Sequence, residues 1–178
     1  ALKGQLGNAV VLKIGESTAF VNNTVRKIDA NNENITPITK NGRTLIPVRF
    51  IAEAFDCNVA WDEGTQTVAI LSGLYSSSMR IGENIITVKD QGYDLDQPAE
   101  LLDGERVVAP LRAICERSLN KKVLYKDGII VVYEGDTVTG GDDQSFWSSL
   151  ENAFADPIAP TVEAVPDQSA VKGNLFTN

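Results

Sequence analysis

The stretch NGRTLIPVRFIAEAFDCNVAWD, from Asn41 to Asp62, contains one ordered set of secondary-structure signals. Asn41 and Gly42 both tolerate positive φ, so they predict a tight turn, and TLIPV then predicts a short strand. Pro47 is suited to open a helix, because the N–H that it lacks would have no partner in the first turn. NVAWD alternates apolar and polar residues and predicts another strand. The predicted order is turn, strand, helix, strand.

The residues after Pro47 recur with the spacing of an amphipathic helix. The apolar set is Val48, Ile51, Ala52, Ala54 and Phe55. Arg49 and Glu53 lie four residues apart on the opposite face. Arg49 admits two interpretations, an anion clamp or a structural tie between the first helical turn and a neighbouring carboxylate or strand carbonyl. The structural interpretation is favoured, because Arg112 repeats the residue in the same context.

A second stretch, DGERVVAPLRAICERSLNKKVLYKD from residue 103 to 127, follows the same order. Pro47-x-Arg49 recurs as Pro110-x-Arg112. IGE at residues 14–16 recurs at residues 81–83, so the two offsets are 63 and 67. The sequence therefore predicts two tandem repeats, residues 10–72 and a degenerate copy at 73–135. A unit of this size buries little apolar surface, so we expect the copies to pack on each other or to complete each other's sheets.

A hairpin is predicted on either side of each helix, and each hairpin has a turn of the residue types that favour tight turns. These turns fall at Asn22-Asn23, Asp62-Glu63-Gly64, Gln91-Gly92, Asp103-Gly104 and Asp127-Gly128.

The composition changes after residue 135, and residues 136–178 are predicted to form an acidic linker or tail. This segment contains seven acidic residues and one lysine. A short helix is predicted over 145–155, with Ser145 as its N-cap and apolar side chains along one side. Phe146 and Trp147 are candidate interaction residues, which anchor the tail either to the body of the protein or to a partner.

Histidine is absent from the 178 residues, whose net charge is −8. This composition removes histidine-based acid–base catalysis and the commonest ligand for zinc or copper, and we expect no catalytic, cofactor or metal site. The negative charge disfavours nucleic acid as a partner. No apolar run is long enough to predict a transmembrane segment. Cys57 and Cys115 form no CxxC motif and either pair or stay free.

The motif residues of the first repeat closely resemble the copper amine oxidase N-terminal-like domain, also known as the stalk domain of bacterial surface proteins. They are Asn41, Gly42, Arg43, Thr44, Leu45, Ile46, Pro47, Val48, Arg49, Ile51, Ala52, Glu53, Ala54, Trp61, Asp62, Thr65, Thr67, Val68 and Ile70. The second repeat is degenerate, with Glu105-Arg106 in place of Arg-Thr and Tyr125 in place of Trp. The resemblance covers roughly residues 10–134.

The resemblance implies an α+β fold, in which each repeat is an antiparallel curled sheet of short strands packed around one helix. It also implies a secreted or wall-attached module of a Gram-positive bacterium, beside other domains of a longer chain. The oxidase chemistry suggested by the family name needs copper held by histidines, so it cannot be carried over to this sequence.

We therefore expect a non-enzymatic stalk or spacer in an extracellular or cell-surface location. The motif residues expected to be structural are Gly42, Pro47, Arg49, Trp61, Gly104, Pro110, Arg112 and Tyr125. One alternative is a module that binds carbohydrate or cell-wall polymer through exposed Trp61, Tyr75, Tyr125 and Tyr133. Another is a surface protein that assembles with itself through edge strands, so that an oligomer forms.

Overall fold

Short strands, nearly all antiparallel, make up most of the regular secondary structure in the computed structural model, which describes residues 4, 6–73 and 75–155 and the backbone of 162–164. The first half of the chain contains β1 (Val10–Lys13), β2 (Thr18–Val21), β3 (Thr24–Lys27), β4 (Ile38–Lys40), β5 (Arg43–Pro47), α1 (Val48–Ala54), β6 (Asn58–Asp62) and β7 (Thr67–Leu71). The second half contains β8 (Ser76–Arg80), β9 (Ile85–Val88), β10 (Gln91–Asp94), β11 (Glu100–Leu102), β12 (Arg106–Pro110), a π-helix (Ala113–Ser118), β13 (Lys122–Lys126) and β14 (Ile129–Tyr133). After them come α2 (Gln144–Ala155) and β15 (Val162–Ala164). The α+β class is confirmed.

Each of the three sheets takes strands from both halves of the chain. The first has the order β13-β14-β1-β2-β3-β15, the second β10-β9-β8-β7-β6, and the third β11-β12-β5-β4. The strands β13 and β14 thus extend a sheet begun by the first half, and β6 and β7 extend a sheet of the second half. The halves complete each other's sheets instead of each closing a sheet of its own, which suits units too small to bury a core alone.

The junctions between the halves are antiparallel pairs in all three sheets. The strand β1 pairs with β14, with Val10 opposite Val132 and Lys13 opposite Ile129. The strand β7 pairs with β8, and β5 pairs with β12. Because Val10 and Val132 are direct neighbours, the two ends of the segment 10–133 lie side by side in the middle of one sheet.

The helix α1 begins directly after Pro47, which ends β5 and keeps an extended conformation with φ −62° and ψ 117°. Its buried residues are Val48, Phe50, Ile51 and Ala52. Phe50 was not part of the predicted apolar stripe, yet it is fully buried, because β12 of the other half covers a second side of the helix. The stripe predicted from one repeat was therefore too narrow.

The corresponding element of the second half is a π-helix, not a regular α-helix. The Leu119 N–H donates to the carbonyl of Ile114, five residues earlier, at 2.9 Å. The end of α1 contains one bond of the same span, from the N–H of Cys57 to the carbonyl of Ala52. The wider turn lets Ala113, Ile114 and Cys115 all face the core.

One hydrophobic core joins both halves. It contains β1 and α1 residues of the first half, such as Leu12 and Ile51, together with Ile114 and Ile130 of the second half. A smaller cluster lies on the other face of the first sheet. Among the described residues no helix is long and apolar enough to cross a membrane.

Two local predictions are corrected by the structure. The turn expected at Gln91-Gly92 lies at Lys89 and Asp90, whose φ values are 53° and 65°, and β10 begins at Gln91. An aspartate tolerates this conformation well, so a Lys-Asp turn can replace the Asn-Asn turn of the first half. In the tail the N-cap of α2 is Asp143, because its carboxylate accepts from the N–H of Ser145 at 2.9 Å.

Candidate functional site

The motif residues collect around two depressions, each lined by residues of both β5 and β12. The first, which we name the Trp61 cavity, is lined by Pro47, Arg49 and Trp61 of the first half and by Gly104 of the second. The second, which we name the Tyr125 groove, is lined by Pro110, Arg112 and Tyr125 of the second half and by Gly42 of the first. Each depression therefore combines one half's Pro-x-Arg and aromatic residue with the turn glycine of the other half.

The Trp61 cavity is small, about 110 Å³, and its polar side chains already have partners. Trp61 is 6% exposed and donates through its indole N–H to Glu63. Arg49 donates to the carbonyl of Val59 at 3.0 Å. Glu105 accepts from the side-chain amide of Asn32 at 2.8 Å. These contacts make the cavity part of the scaffold, and they match the structural interpretation of Arg49.

A buried ion pair closes the wall of the Trp61 cavity. The Arg106 guanidinium donates to the Asp29 carboxylate at 2.5 Å, and their side chains are 10% and 3% exposed. Asp29 also accepts from the N–H of Asn31 at 2.8 Å. Two charges taken out of water in this way depend on each other, because either one alone would be buried without compensation.

Glu53 on α1 has a raised pKa, since burial disfavours its charged form more than nearby Arg49 favours it. One of its carboxylate oxygens, Oε1, is buried and has no hydrogen-bond partner. Burial in turn lowers the pKa of Arg49, with Glu53 opposing the shift and Arg106 adding to it. The charge on Glu53 is therefore a small cost to folding at neutral pH.

Replacing Glu53 by glutamine is expected to raise the melting temperature at about pH 7, by roughly 1–3 °C for a side chain that is only half buried. The folded pKa lies above the unfolded one, so the folded protein binds the proton first as pH falls. The wild-type free energy of unfolding then rises toward acid pH, and the advantage of Glu53→Gln shrinks. Thermal melts across this pH range, with exposed Glu33→Gln as the control, measure the difference. A pH-independent difference would contradict the assignment.

The Tyr125 groove is far more open, about 810 Å³. Tyr125 is 45% exposed. Arg43 and Asp96 form an ion pair at 2.7 Å, with side chains 55% and 75% exposed. Arg112 pairs with Glu116 at 2.7 Å and is exposed as well, so it is tied to its own helical turn and not to a strand. The groove thus presents its charged side chains to solvent.

The other aromatic residues considered for sugar binding do not form an exposed row. Trp61 and Tyr133 are buried, at 6% and 9% exposure. Tyr75 is half-buried, its hydroxyl donates to the carbonyl of Arg117 at 3.3 Å, and the ammonium of Lys89 lies over its ring. Of these four residues only Tyr125 offers an accessible ring.

Carboxylates at the turns and strand ends serve local structure. Asp62 accepts from the N–H of Gly64 at 2.9 Å and so holds the hairpin turn. Glu63 accepts from the Trp61 indole, and Glu83 pairs with Arg80 at 3.5 Å.

Residues 27–133 match the profile of the copper amine oxidase N-terminal domain family. The chain belongs to this family. The match covers well over half of the chain and includes every motif residue of both depressions. The family's domain is a non-catalytic accessory domain. No curated protein matches the chain.

Copper chemistry does not fit the residues of this family member. The sequence has no histidine, the usual nitrogen ligand of a copper site. In the described part of the chain no group of three or more His, Cys, Asp or Glu side chains is placed to hold a metal ion. No step of a mechanism is therefore assigned to copper here.

The candidate interaction residues of the tail are buried against the body of the domain. Phe146 and Trp147 are 4% and 5% exposed and pack with Val11, Val131 and Tyr133 on the outer face of the first sheet. The Trp147 indole donates to the carbonyl of Gly141 at 2.9 Å. The sequence left open whether Phe146 and Trp147 pack on the body of the protein or on a partner, and in the structure they pack on the body.

Cys57 and Cys115 are both free thiols. Cys115 is fully buried in the π-helix, and burial raises its pKa, so it has little thiolate character. Cys57 is half-buried, and burial raises its pKa too.

The two ion pairs that join the halves near the depressions were not predicted from the sequence. Arg43 and Arg106 form corresponding ion pairs with Asp96 and Asp29. Arg43 follows the Asn41-Gly42 turn and Arg106 follows the Asp103-Gly104 turn, and the two arginines are 63 residues apart in the sequence. Asp29 and Asp96 each follow a buried aliphatic residue and are 67 residues apart. Comparison of the two halves at those offsets is the signal that would have found them.

Proposed function

We propose that residues 10–135 form a non-catalytic interaction module of a secreted or cell-surface protein, made of two copies of one unit. The copies are residues 10–72 and 73–135, and residues 136–178 are an acidic tail that follows them. The observation that carries this proposal is the exchange of strands between the halves, which gives both halves the same contacts.

Corresponding hydrogen bonds cross between the halves in both directions. The Ile14 N–H donates to the carbonyl of Gly128 at 2.8 Å, and the Ile81 N–H donates to the carbonyl of Gln66 at 2.9 Å. The ion pairs follow the same rule, since Arg106 of the second half meets Asp29 of the first, and Arg43 of the first meets Asp96 of the second. Contacts that recur after exchange of the halves support two copies related by an approximate twofold axis.

The adjacent ends of the segment 10–133 favour a module attached at one place. Val10 and Val132 are opposite each other in neighbouring antiparallel strands, where Cα atoms are about 4.5–5.5 Å apart. A spacer that separates the preceding and following parts of a chain would gain little length from such a unit. The arrangement instead favours a lobe that projects from its attachment point and presents its far surface.

Distance measurement between spin labels on the whole protein tests this arrangement. Asn8→Cys and Gly135→Cys are labelled in a Cys57→Ser background, and Cys115 stays because it is fully buried. We expect about 10–20 Å between the labels, against roughly 35 Å across a domain of this size. A distance near the larger value would overturn the single attachment point.

Surface labelling of intact cells tests the proposed location. We expect an amine reagent that does not cross membranes to modify the chain in intact cells, because exposed lysines such as Lys40 and Lys122 are accessible. A cytoplasmic protein of the same cells is the control. Modification that requires lysis would show that the module is not at the surface.

A further inference from the structure

We propose that the Tyr125 groove is a binding site for a neutral carbohydrate segment. This goes beyond the role proposed above, because it assigns a ligand class and a site to the interaction module. Three independent features of the groove support it: its volume, its accessible aromatic ring and its balanced charge.

The Tyr125 groove is much larger than the Trp61 cavity. At about 810 Å³ it falls within the roughly 300–1,000 Å³ that is usual for small-molecule sites. The Trp61 cavity, built from the corresponding residues of the other half, measures about 110 Å³. The Trp61 cavity is lined by a buried Trp and by Arg106 of a buried ion pair, whereas Tyr125 and the Arg43–Asp96 pair of the groove are exposed.

The aromatic ring supplies an apolar platform. In the described part of the chain the exposed large hydrophobic residues are Tyr125 and Ile85, and Tyr125 lines the groove. The apolar C–H face of a pyranose ring can stack on a tyrosine, and the phenol hydroxyl can bond a sugar hydroxyl at its edge.

The charges of the side chains that line the groove sum to zero. Three are arginines and three are carboxylates: Arg43, Arg112, Arg117, Asp94, Asp96 and Glu116. An anionic or cationic ligand would meet equal numbers of attractive and repulsive groups. A hydroxylated neutral ligand needs both donors and acceptors at close spacing, and alternating guanidinium and carboxylate groups provide them. The net charge of −8 further disfavours an anionic polymer.

The polar groups are held in place before any ligand arrives. Arg117 lies over the ring of Tyr93, with its guanidinium carbon 4.0 Å from the ring centroid. Gln97 is buried, and its side-chain oxygen accepts from Asn41 at 2.9 Å. Groups fixed in this way lose little conformational entropy on binding.

Calorimetric titration of the whole protein tests the site. The probes are cellohexaose, chitohexaose and maltohexaose, with polyglutamate and an uncharged alanine peptide for comparison. We expect at least one neutral oligosaccharide to bind, and polyglutamate and the peptide not to bind. Fluorescence of Trp61 and Trp147 should not change, because neither residue lines the groove. No binding by the three sugars, binding of polyglutamate or the peptide, or a change in tryptophan fluorescence on sugar binding would overturn the proposal.

Variants locate the binding on the ring. Tyr125→Ala should weaken the affinity roughly tenfold, as expected for loss of an aromatic stacking contact. Tyr125→Phe should retain most of the affinity, which separates loss of the ring from damage to the strand. Ile85→Ala is the matched control, since Ile85 is 41% exposed and lies outside the groove. Equal affinities for Tyr125→Ala and Ile85→Ala would overturn the proposal.

Discussion

A protein divided after Gly73 is expected to lose its fold, and its two fragments are expected to regain it only when they are mixed. The division leaves β1, β5 and β7 without their partners β14, β12 and β8. Each fragment would expose backbone groups at three strand edges and the apolar faces that the shared core now covers. Neither fragment retains enough buried surface to fold alone.

Circular dichroism and thermal melts of the separate and mixed fragments measure this effect. We expect no cooperative transition from either fragment, and a cooperative transition at equimolar mixing whose midpoint rises with concentration. The undivided chain, whose midpoint should not depend on concentration, is the control. A cooperative transition from residues 1–73 alone would mean that a single half closes its own core, against the strand exchange described above.

Asp29→Ala is expected to lower the free energy of unfolding by about 3–5 kcal/mol, because it leaves the Arg106 charge buried without its partner. At the size of this chain that corresponds to roughly 2–4 °C in melting temperature for each kcal/mol. Denaturant titration followed by circular dichroism measures the change.

The corresponding exposed pair is a built-in control for this prediction. Asp96→Ala removes the partner of Arg43 from an ion pair in which both side chains are more than half exposed. We expect a change below about 1 kcal/mol. Similar losses from the two substitutions would mean that burial does not set the strength of these pairs. The double variant Asp29→Leu/Arg106→Met should recover most of the loss, since no lone charge remains.

Local features of the fold could be predicted from the sequence because their causes are local. Asn41-Gly42 and Asp127-Gly128 take the positive φ values that the predicted turns require. Pro47 stands directly before α1. The turn near Gln91 was placed two residues too late, because glycine at position 92 was read as the turn residue. Lys89 and Asp90 can form the turn without glycine, and Gly92 instead gives space to the Ile85 side chain across the strand pair.

Long-range features could not be predicted in the same way. A strand's alternation shows that one face is buried but does not name the neighbouring strand. Hence β13 and β14 could equally have closed the second half, and the sequence offered both outcomes. The π-helix also depends on packing, because Leu111 and Ile114 satisfy a regular helical pattern as well.

The candidate site likewise combines features that the sequence predicts with features that depend on long-range packing. The paired prolines, arginines and aromatics were found as motif residues, but their grouping with the glycine of the opposite half follows from the strand exchange. Exposure of Tyr125 and burial of Trp61 likewise depend on how deeply each ring lies between sheets. The family match places both halves in one known domain but leaves this difference between them to the structure.

The side-by-side position of Val10 and Val132 also decides how the domain responds to force. A load applied at residues 10 and 132 pulls β1 and β14 apart from the end where these two residues lie. The ladder between these strands then opens one hydrogen bond at a time, like a zipper, instead of all bonds sharing the load in shear. Tension applied at these two residues would therefore open this domain earlier than a domain whose end strands are pulled in shear.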